Sequence, residues 1–386
     1  MIGFTYYNPA KIVFGEGSER QLADLLREKK ATSLLLVYSG DFIKTLGIYG
    51  AVLDAVTKLG IDFSESGEVV PNPSIDLVRK LVAQGRRDHV DFVLAVGGGS
   101  SIDTAKAVAL GIPYDGDVWD FFEKGVSPKS VLPIGVIATT ASSGSETSNA
   151  AILSNGEWKL DFEDDRIIPK FAIMNPQYTA NLPAYQTAVG VADVLAHLLE
   201  RYFSDELHSD TTDFLIEGAI RALLVNGERL ITNPTDINAR GELQWLASVA
   251  HNNFLDAGRR ADWGSHRIEH ELSAQYNITH GEGMAVVLVA WVKYMAERKP
   301  WRPALLATRV FGADTFLYGE KERANLLAAE LERIFRKLSL RTTLTELGID
   351  STDFAVMAKR ATRNGPVGHY LPLTAEAIEE ILTLAL

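Results

Sequence analysis

The sequence predicts an α/β N-terminal domain built on a parallel sheet, residues 1–182, followed by an all-helical C-terminal domain, residues 183–386. Three observations lead there. A chain of 386 residues is longer than one ordinary core serves, so two domains are expected. The first half alternates short β-rich apolar runs with amphipathic helical patterns, the signature of a parallel sheet covered on both faces. Beyond Pro183 only helical patterns follow.

The opening "YYNPAKIVFGEGS" reads as a separate strand pair, "YY" and "KIVFG", around a Pro turn. "TSLLLVYSG" reads as a buried strand ending at glycine, and "IYGAVLDAVTKLG" as an amphipathic helix closed by Gly60. "SIDLVRKLVAQGRRD" is a second helix, "VDFVLAVGGGS" a strand, "SIDTAKAVALG" the helix after it, and "VLPIGVIATT" another strand. "AYQTAVGVADVLAHLLERYFS" then starts the helical series. No internal repeat or low-complexity segment interrupts the chain.

Composition narrows the function. Apolar residues make up 46% and charged residues 23%, the mix of a packed globular protein. A net charge of −12 argues against nucleic acid or an anionic membrane as partner. The chain has no cysteine, so thiolate nucleophiles, disulfides and Cys-type zinc sites are excluded, and any metal must rely on His and carboxylates. The longest apolar run, Met284 to Val292, is too short to span a bilayer. The N-terminus shows no basic region leading into a long apolar stretch, and the expected setting is the cytoplasm.

"VLAVGGGSSIDTAKAVAL" carries Gly97, Gly98, Gly99 and Ser100 between a strand and a helix. Glycines let a ligand approach the backbone, and a helix N-terminus offers unpaired N–H groups, so the loop suits a pyrophosphate. It is neither the GxGxxG fingerprint nor a Walker A loop, since no lysine follows the glycines. A tight turn needing positive φ is the alternative, with Ser101 and Asp103 as helix caps. "ATTASSGSET" is a second hydroxyl-rich loop after a strand, either lining the same crevice or simply a Ser/Thr-rich turn.

Three of the eight histidines fall in "HRIEHELSAQYNITH": His266, His270 and His280. Asp193 and His197 lie four apart in a helical pattern, hence on one face, either hydrogen-bonded or part of a metal site. The five groups lie on helical segments, which fits a site between packed helices. Asp and His donors without thiolate suit zinc or ferrous iron better than calcium or magnesium. A glycine loop together with such a site points to a nucleotide cofactor and a metal serving one reaction.

With these motifs in view, the chain resembles the iron-containing (group III) alcohol dehydrogenases, and among them the butanol dehydrogenase-like branch. The likeness runs through "NPAKIVFGEG", "PNPS", "GGGSSIDTAKA", "TTASSGSE", "PKFAIMNPQYTANLP", "YQTAVGVADVLAHLLERYF" and "HRIEHELSAQYNITHGEGMA", in the family's order. It implies a dehydroquinate synthase-like architecture. It implies Asp193, His197, His266 and His280 as ligands of Fe2+ or Zn2+, and His270 as a non-ligand histidine by the metal and nicotinamide. Gly97, Gly98, Gly99 and Ser100 match the pyrophosphate loop, and Thr139 and Thr140 the second cofactor loop. Lys159 matches a lysine near the nicotinamide ribose; Asn72 and Leu182 match lesser contacts. Where many branch members have a Gly-Gly-Gly-Ser-like run favouring NADP, this chain has Ser39, Gly40, Asp41 and Phe42. A carboxylate there suits the ribose hydroxyls of NAD and repels a 2′-phosphate. Val289 stands where relatives often have proline, and Ser143 where threonine is common.

The resemblance implies reversible oxidation of a primary alcohol to an aldehyde with NAD(H) or NADP(H), the former preferred. A bound metal would lower the pKa of the alcohol oxygen, and His270 would pass the released proton to solvent. The partner is then a small alcohol or aldehyde, and the opening strand pair is the candidate bridge of a homodimer. The rival readings are a zinc polyol (glycerol-type) dehydrogenase, a dehydroquinate synthase-like lyase, a metal-dependent phosphoester hydrolase and a non-catalytic metal-binding protein.

Overall fold

The computed structural model describes residues 1–386, with eight strands. They are β1 (Lys11–Phe14), β2 (Ser33–Tyr38), β3 (Asp62–Ser66), β4 (Phe92–Gly97), β5 (Ile134–Ala138), β6 (Ala150–Asn155), β7 (Trp158–Glu163) and β8 (Phe171–Met174). The first six α-helices are α1 (Leu22–Glu28), α2 (Phe42–Thr45), α3 (Ile48–Leu59), α4 (Ile75–Arg87), α5 (Gly99–Gly111) and α6 (Trp119–Lys124). Then come α7 (Ala184–Tyr202), α8 (Asp210–Thr232), α9 (Ile237–His251), α10 (Gly264–Tyr276) and α11 (His280–Arg298). The last four are α12 (Trp301–Phe311), α13 (Glu320–Lys337), α14 (Phe354–Ala361) and α15 (Ala375–Leu384). The chain forms two compact units, one of Tyr7–Leu182 with Thr235–Asn252, the other of Met1–Tyr6, Pro183–Pro234 and Asn253–Leu386.

The first unit is a six-stranded sheet in the order β1-β8-β5-β4-β2-β3, with every pairing parallel. Alternate residues of each strand bury on opposite faces. Leu34 and Leu36 of β2 and Leu94 and Val96 of β4 pack with Leu22 and Leu25 of α1 and Val52 and Val56 of α3. Leu35, Val37, Val93 and Ala95 pack on the other face with Val78 and Leu81 of α4 and Ile102 and Val108 of α5. Both faces are covered, which is why these strands read as unbroken apolar runs. Local chemistry sets the helix ends: Ser74 Oγ accepts the Asp76 N–H at 3.1 Å to start α4, and Gly60, with φ of 64°, ends α3. From β2 the chain runs outward to β3, then returns to β4 on the other side of β2. The carboxyl ends of β2 and β4 therefore flank a topological switch point, where open α/β sheets bind ligands.

Two expectations change here. The opening strand pair does not form: Tyr6 and Tyr7 lie outside any strand, and Lys11–Phe14 is one edge strand parallel to β8. Asn8 explains the break, because its side-chain amide donates to the Thr147 carbonyl at 2.7 Å and its oxygen takes the Ala10 N–H, turning the chain before β1. The division at residues 182 and 183 is also crossed twice. Met1–Tyr6 groups with the helical unit, where Ile2 N–H donates to the Gly258 carbonyl. Helix α9 groups with the sheet unit, because its polar face is hydrogen-bonded to the 138–147 segment.

The second unit is helical throughout, apart from an isolated bridge between Val367 and Leu373. Its inner helices are α7, buried almost continuously from Thr187 to Tyr202, and α11, buried from Gly281 to Val292. No helix of either unit is long and apolar enough to cross a membrane.

Candidate active site

In the first unit, Ser39, Gly97 and Thr139 stand at the carboxyl ends of β2, β4 and β5. Gly97 has φ of 152°, open to glycine, and a Cβ there would overlap the Ser101 hydroxyl. On Gly98 a Cβ would stand 2.5 Å from Thr140 Oγ1, and on Gly99 2.7 Å from Ser143 Oγ. The glycines thus let the two loops close on each other. No side chain caps α5, so its first N–H groups stay available to an anion, and Thr139 Oγ1 and Ser101 Oγ are buried without a hydrogen-bond partner.

Buried polar groups hold the second loop from both sides. Lys106 of α5 donates to Ser145 Oγ at 2.9 Å and to the Ser148 and Ala150 carbonyls, and Ser145 Oγ donates to Asp103 Oδ1 at 2.6 Å. Asp103 therefore ties α5 to the loop rather than capping its own helix. Burial pushes the Asp103 carboxyl up, against the pull of Lys106, and pushes the Lys106 ammonium down to about 8, against Asp103 and Glu146. From α9, Gln244 donates to the Ala138 carbonyl at 3.2 Å and Ser248 Oγ to Glu146 Oε1 at 2.5 Å. Lys159 is buried on β7 of the β6–β7 hairpin. Asp41 is exposed and paired with Lys44 at 2.7 Å, while Asn72, with φ of 54°, and Leu182 are half-buried.

In the second unit, one ligand atom from each of Asp193, His266 and His280 lies within 4.8 Å of the others. His280 Nε2 is 3.6 Å from Asp193 Oδ1, and the His266 and His280 rings are 5.3 Å apart. His197 stands beside this group: its Nδ1 is 3.8 Å from Asp193 Oδ1, and its ring stacks on His266 at 5.0 Å. His270, one turn past His266, has its ring 5.7 Å from that of His280. His266 Nε2 is buried without a hydrogen-bond partner, an expensive arrangement for a ring nitrogen unless something else occupies its lone pair. A carboxylate with imidazoles and no thiolate is a donor set that fits Fe2+ or Zn2+.

The supports of these side chains were not singled out in the sequence. Glu200, on α7, accepts His266 Nδ1 at 2.8 Å, the His266 N–H at 3.0 Å, Ser265 Oγ at 2.6 Å and the Trp263 N–H at 2.6 Å. It thereby caps α10 and grips the first histidine on it. Burial alone would raise its pKa, but the hydrogen bonds it accepts from His266 and Ser265 outweigh that and hold the carboxyl below its usual range. Glu269 accepts His280 Nδ1 and the Ser273 hydroxyl. Glu282, just inside α11, takes both Arg341 Nε and Nη2 and the Tyr185 hydroxyl, fixing the helix end that carries His280.

Residues 9–176 match the family model "Iron-containing alcohol dehydrogenase", and residues 187–386 match "Fe-containing alcohol dehydrogenase family, C-terminal". The chain belongs to the iron-containing alcohol dehydrogenase family. Among its relatives in that family is NADH-dependent butanol dehydrogenase A of Clostridium acetobutylicum, 36% identical over 99% of both chains. Another is the probable NADH-dependent butanol dehydrogenase 1 of Bacillus subtilis, 34% identical over 100% of both. The crystal structure of NADH-dependent butanol dehydrogenase A from Thermotoga maritima superposes with a TM-score of 0.95 at 34% identity, covering 99% of this chain and 98% of that one. As an iron-containing alcohol dehydrogenase, the protein is an oxidoreductase that works with NAD(P)H and a divalent metal. The lyase and hydrolase readings are not favoured by any of these matches.

One signal in the sequence of this iron-containing alcohol dehydrogenase would have found the missing carboxylates. Asp193, His197 and Glu200 follow i, i+4, i+7 on one helix face, and His266, Glu269, His270 and Ser273 follow i, i+3, i+4, i+7 on another. Acidic residues in register with candidate ligands are candidate supports for them.

Proposed function

We propose that this enzyme interconverts a primary alcohol and NAD(P)+ with the aldehyde, NAD(P)H and a proton, binding its metal through Asp193, His197, His266 and His280. The observation that carries this reading is the approach of Asp193, His266 and His280 to within 4.8 Å together with the partnerless His266 Nε2. A divalent metal bound there supplies Lewis acidity to an alcohol or carbonyl oxygen. The protein's own residues do the rest. His270 receives the hydroxyl proton in oxidation and returns it in reduction, as a general base and acid beside the ligands. Gly97, Gly98, Gly99 and Ser100 hold the pyrophosphate on the α5 N-terminus, and Thr139 and Thr140 line the same nucleotide. In this reading Lys159 and Ser39 are assigned to the riboses, Asn72 and Leu182 to lesser contacts, and Asp41 to a preference for NAD(H). The reading includes a cytoplasmic homodimer, whose assembly sedimentation of the purified protein would measure.

The test is metal analysis with activity assays on His266→Ala and His280→Ala. Each is expected to lose most bound metal and to fall in activity by more than the roughly 10- to 100-fold that removing an outer-shell partner costs. Full metal content and full activity in both variants would overturn the ligand assignment.

A further inference from the structure

We propose that Glu200 and Glu269 are positioning residues of the metal centre, each holding one histidine with its proton on Nδ1 and its lone pair on Nε2. This rests on the ligand reading above and names what orients the ligands. A neutral imidazole carries one N–H, and the partner of one nitrogen decides which nitrogen is left to bind a metal. Glu200 accepts three N–H or O–H donors besides the ring of His266, so the nitrogen 2.8 Å away from it must also present a hydrogen. His266 Nε2 is then the nitrogen with the lone pair, and it is the one with no hydrogen-bond partner. Glu269, fully buried, repeats the arrangement: its Oε1 takes the Ser273 hydroxyl, its Oε2 faces His280 Nδ1, and His280 Nε2 lies 3.6 Å from Asp193.

The connections run between helices. Glu200 of α7 holds a histidine of α10, and Glu269 of α10 holds a histidine of α11. Each helix that carries a candidate ligand is thus tied to the next through a carboxylate. Gly283 makes the second tie possible, because a Cβ there would stand 2.7 Å from Glu269 Oε1.

The experiment uses metal-stripped full-length protein, Zn2+ as the probe, chelator competition for affinity, and long-range 15N–1H spectra of the imidazoles for the tautomers. Wild type is expected to show His266 and His280 protonated on Nδ1 before metal is added. Glu269→Ala should release His280 to the Nε2-protonated form and weaken Zn2+ binding by roughly 10- to 100-fold. Glu269→Gln keeps an oxygen for Nδ1–H while its amide N–H faces the Ser273 hydroxyl. It should retain the tautomer and most of the affinity, a rescue that a merely space-filling role would not produce. Glu200→Ala should act likewise on His266, and if it does not fold, the Glu269 pair decides. Wild-type tautomers and affinity in Glu269→Ala would overturn the positioning role. A wild type that binds no stoichiometric Zn2+, or Asp193→Ala binding as wild type does, would overturn the ligand reading and this proposal with it.

Discussion

Gly281 has no room for a side chain: a Cβ on it would overlap the carbonyl oxygen of Val189. The first turn of α11 therefore lies directly on the backbone of α7, one residue from His280 and four from Asp193. Backbone cannot swing aside as a flexible side chain can. Gly281→Ala is expected to cost about 1–3 kcal/mol of stability by overpacking and to weaken metal binding, since the displaced turn carries His280. Denaturant unfolding and a Zn2+ titration check both; wild-type values in both would show that the contact yields without consequence.

His270→Ala should keep its metal and turn over slowly. Its ring is 6.5 Å from that of His266 and 5.7 Å from that of His280, and its ring nitrogen groups with Glu269 and His280 rather than with Asp193 and His266. Loss of general acid–base help predicts a fall of roughly 100-fold or more in kcat. A variant that purifies without metal would make His270 a ligand instead.

Asp41 stands at the N-terminus of α2 but its side chain caps nothing there, pairing instead with the exposed Lys44. Asp41→Gly should therefore leave the fold intact. A carboxylate a few ångströms from a 2′-phosphate repels it by about one to a few kcal/mol, so wild type should favour NAD by roughly tenfold or more. The variant should lower the KM for NADP with little change in kcat. Lys44, freed from its partner, adds to that gain. Steady-state kinetics with both cofactors decide; an unchanged KM for NADP would place Asp41 away from the ribose.

Lys106 predicts a pH dependence of stability. Its folded pKa, about 8, lies below the ordinary 10.5 because burial disfavours the ammonium. Between these values the unfolded chain binds more protons, so the lysine's contribution is present above pH 10.5 and is lost as pH falls through 8. Lys106→Met lacks this term. It also leaves the Ser148 and Ala150 carbonyls without their donor, and is expected to be less stable throughout. The gap between wild type and variant should widen by roughly 2 kcal/mol from pH 8 to pH 9.5, read from urea unfolding of the metal-free proteins. A constant gap would mean that Lys106 titrates near its ordinary value in the fold.

Much of the fold and site is legible in linear patterns. Strands β2, β4 and β5 stand out because burial on both faces demands unbroken apolar runs, and α3 shows its end at Gly60. Strand β3, "DFSES", is an edge strand with polar residues and carries no such run, and β8 has four residues. Hairpin β6–β7 holds Asp161, Glu157 and Lys159 among its apolar residues, so neither period dominates. Asp193 with His197 and His266 with His270 announce themselves because helical spacing places each pair on one face, and His280 because it follows the second pair within ten residues.

The sequence by itself determined the parallel sheet, the glycine turn before α5, the helical second half and the titratable groups on each helix face, since all follow from local periodicity and residue chemistry. Only the tertiary structure decided that α9 joins the sheet unit, that Tyr6 and Tyr7 form no strand, and that Glu200 and Glu269 each serve a histidine on a different helix. Those outcomes rest on hydrogen bonds between residues as far apart as Glu200 and His266 or Ser248 and Glu146. No local propensity encodes such pairs; they exist only once packing has removed water and left each buried donor and acceptor to find a partner.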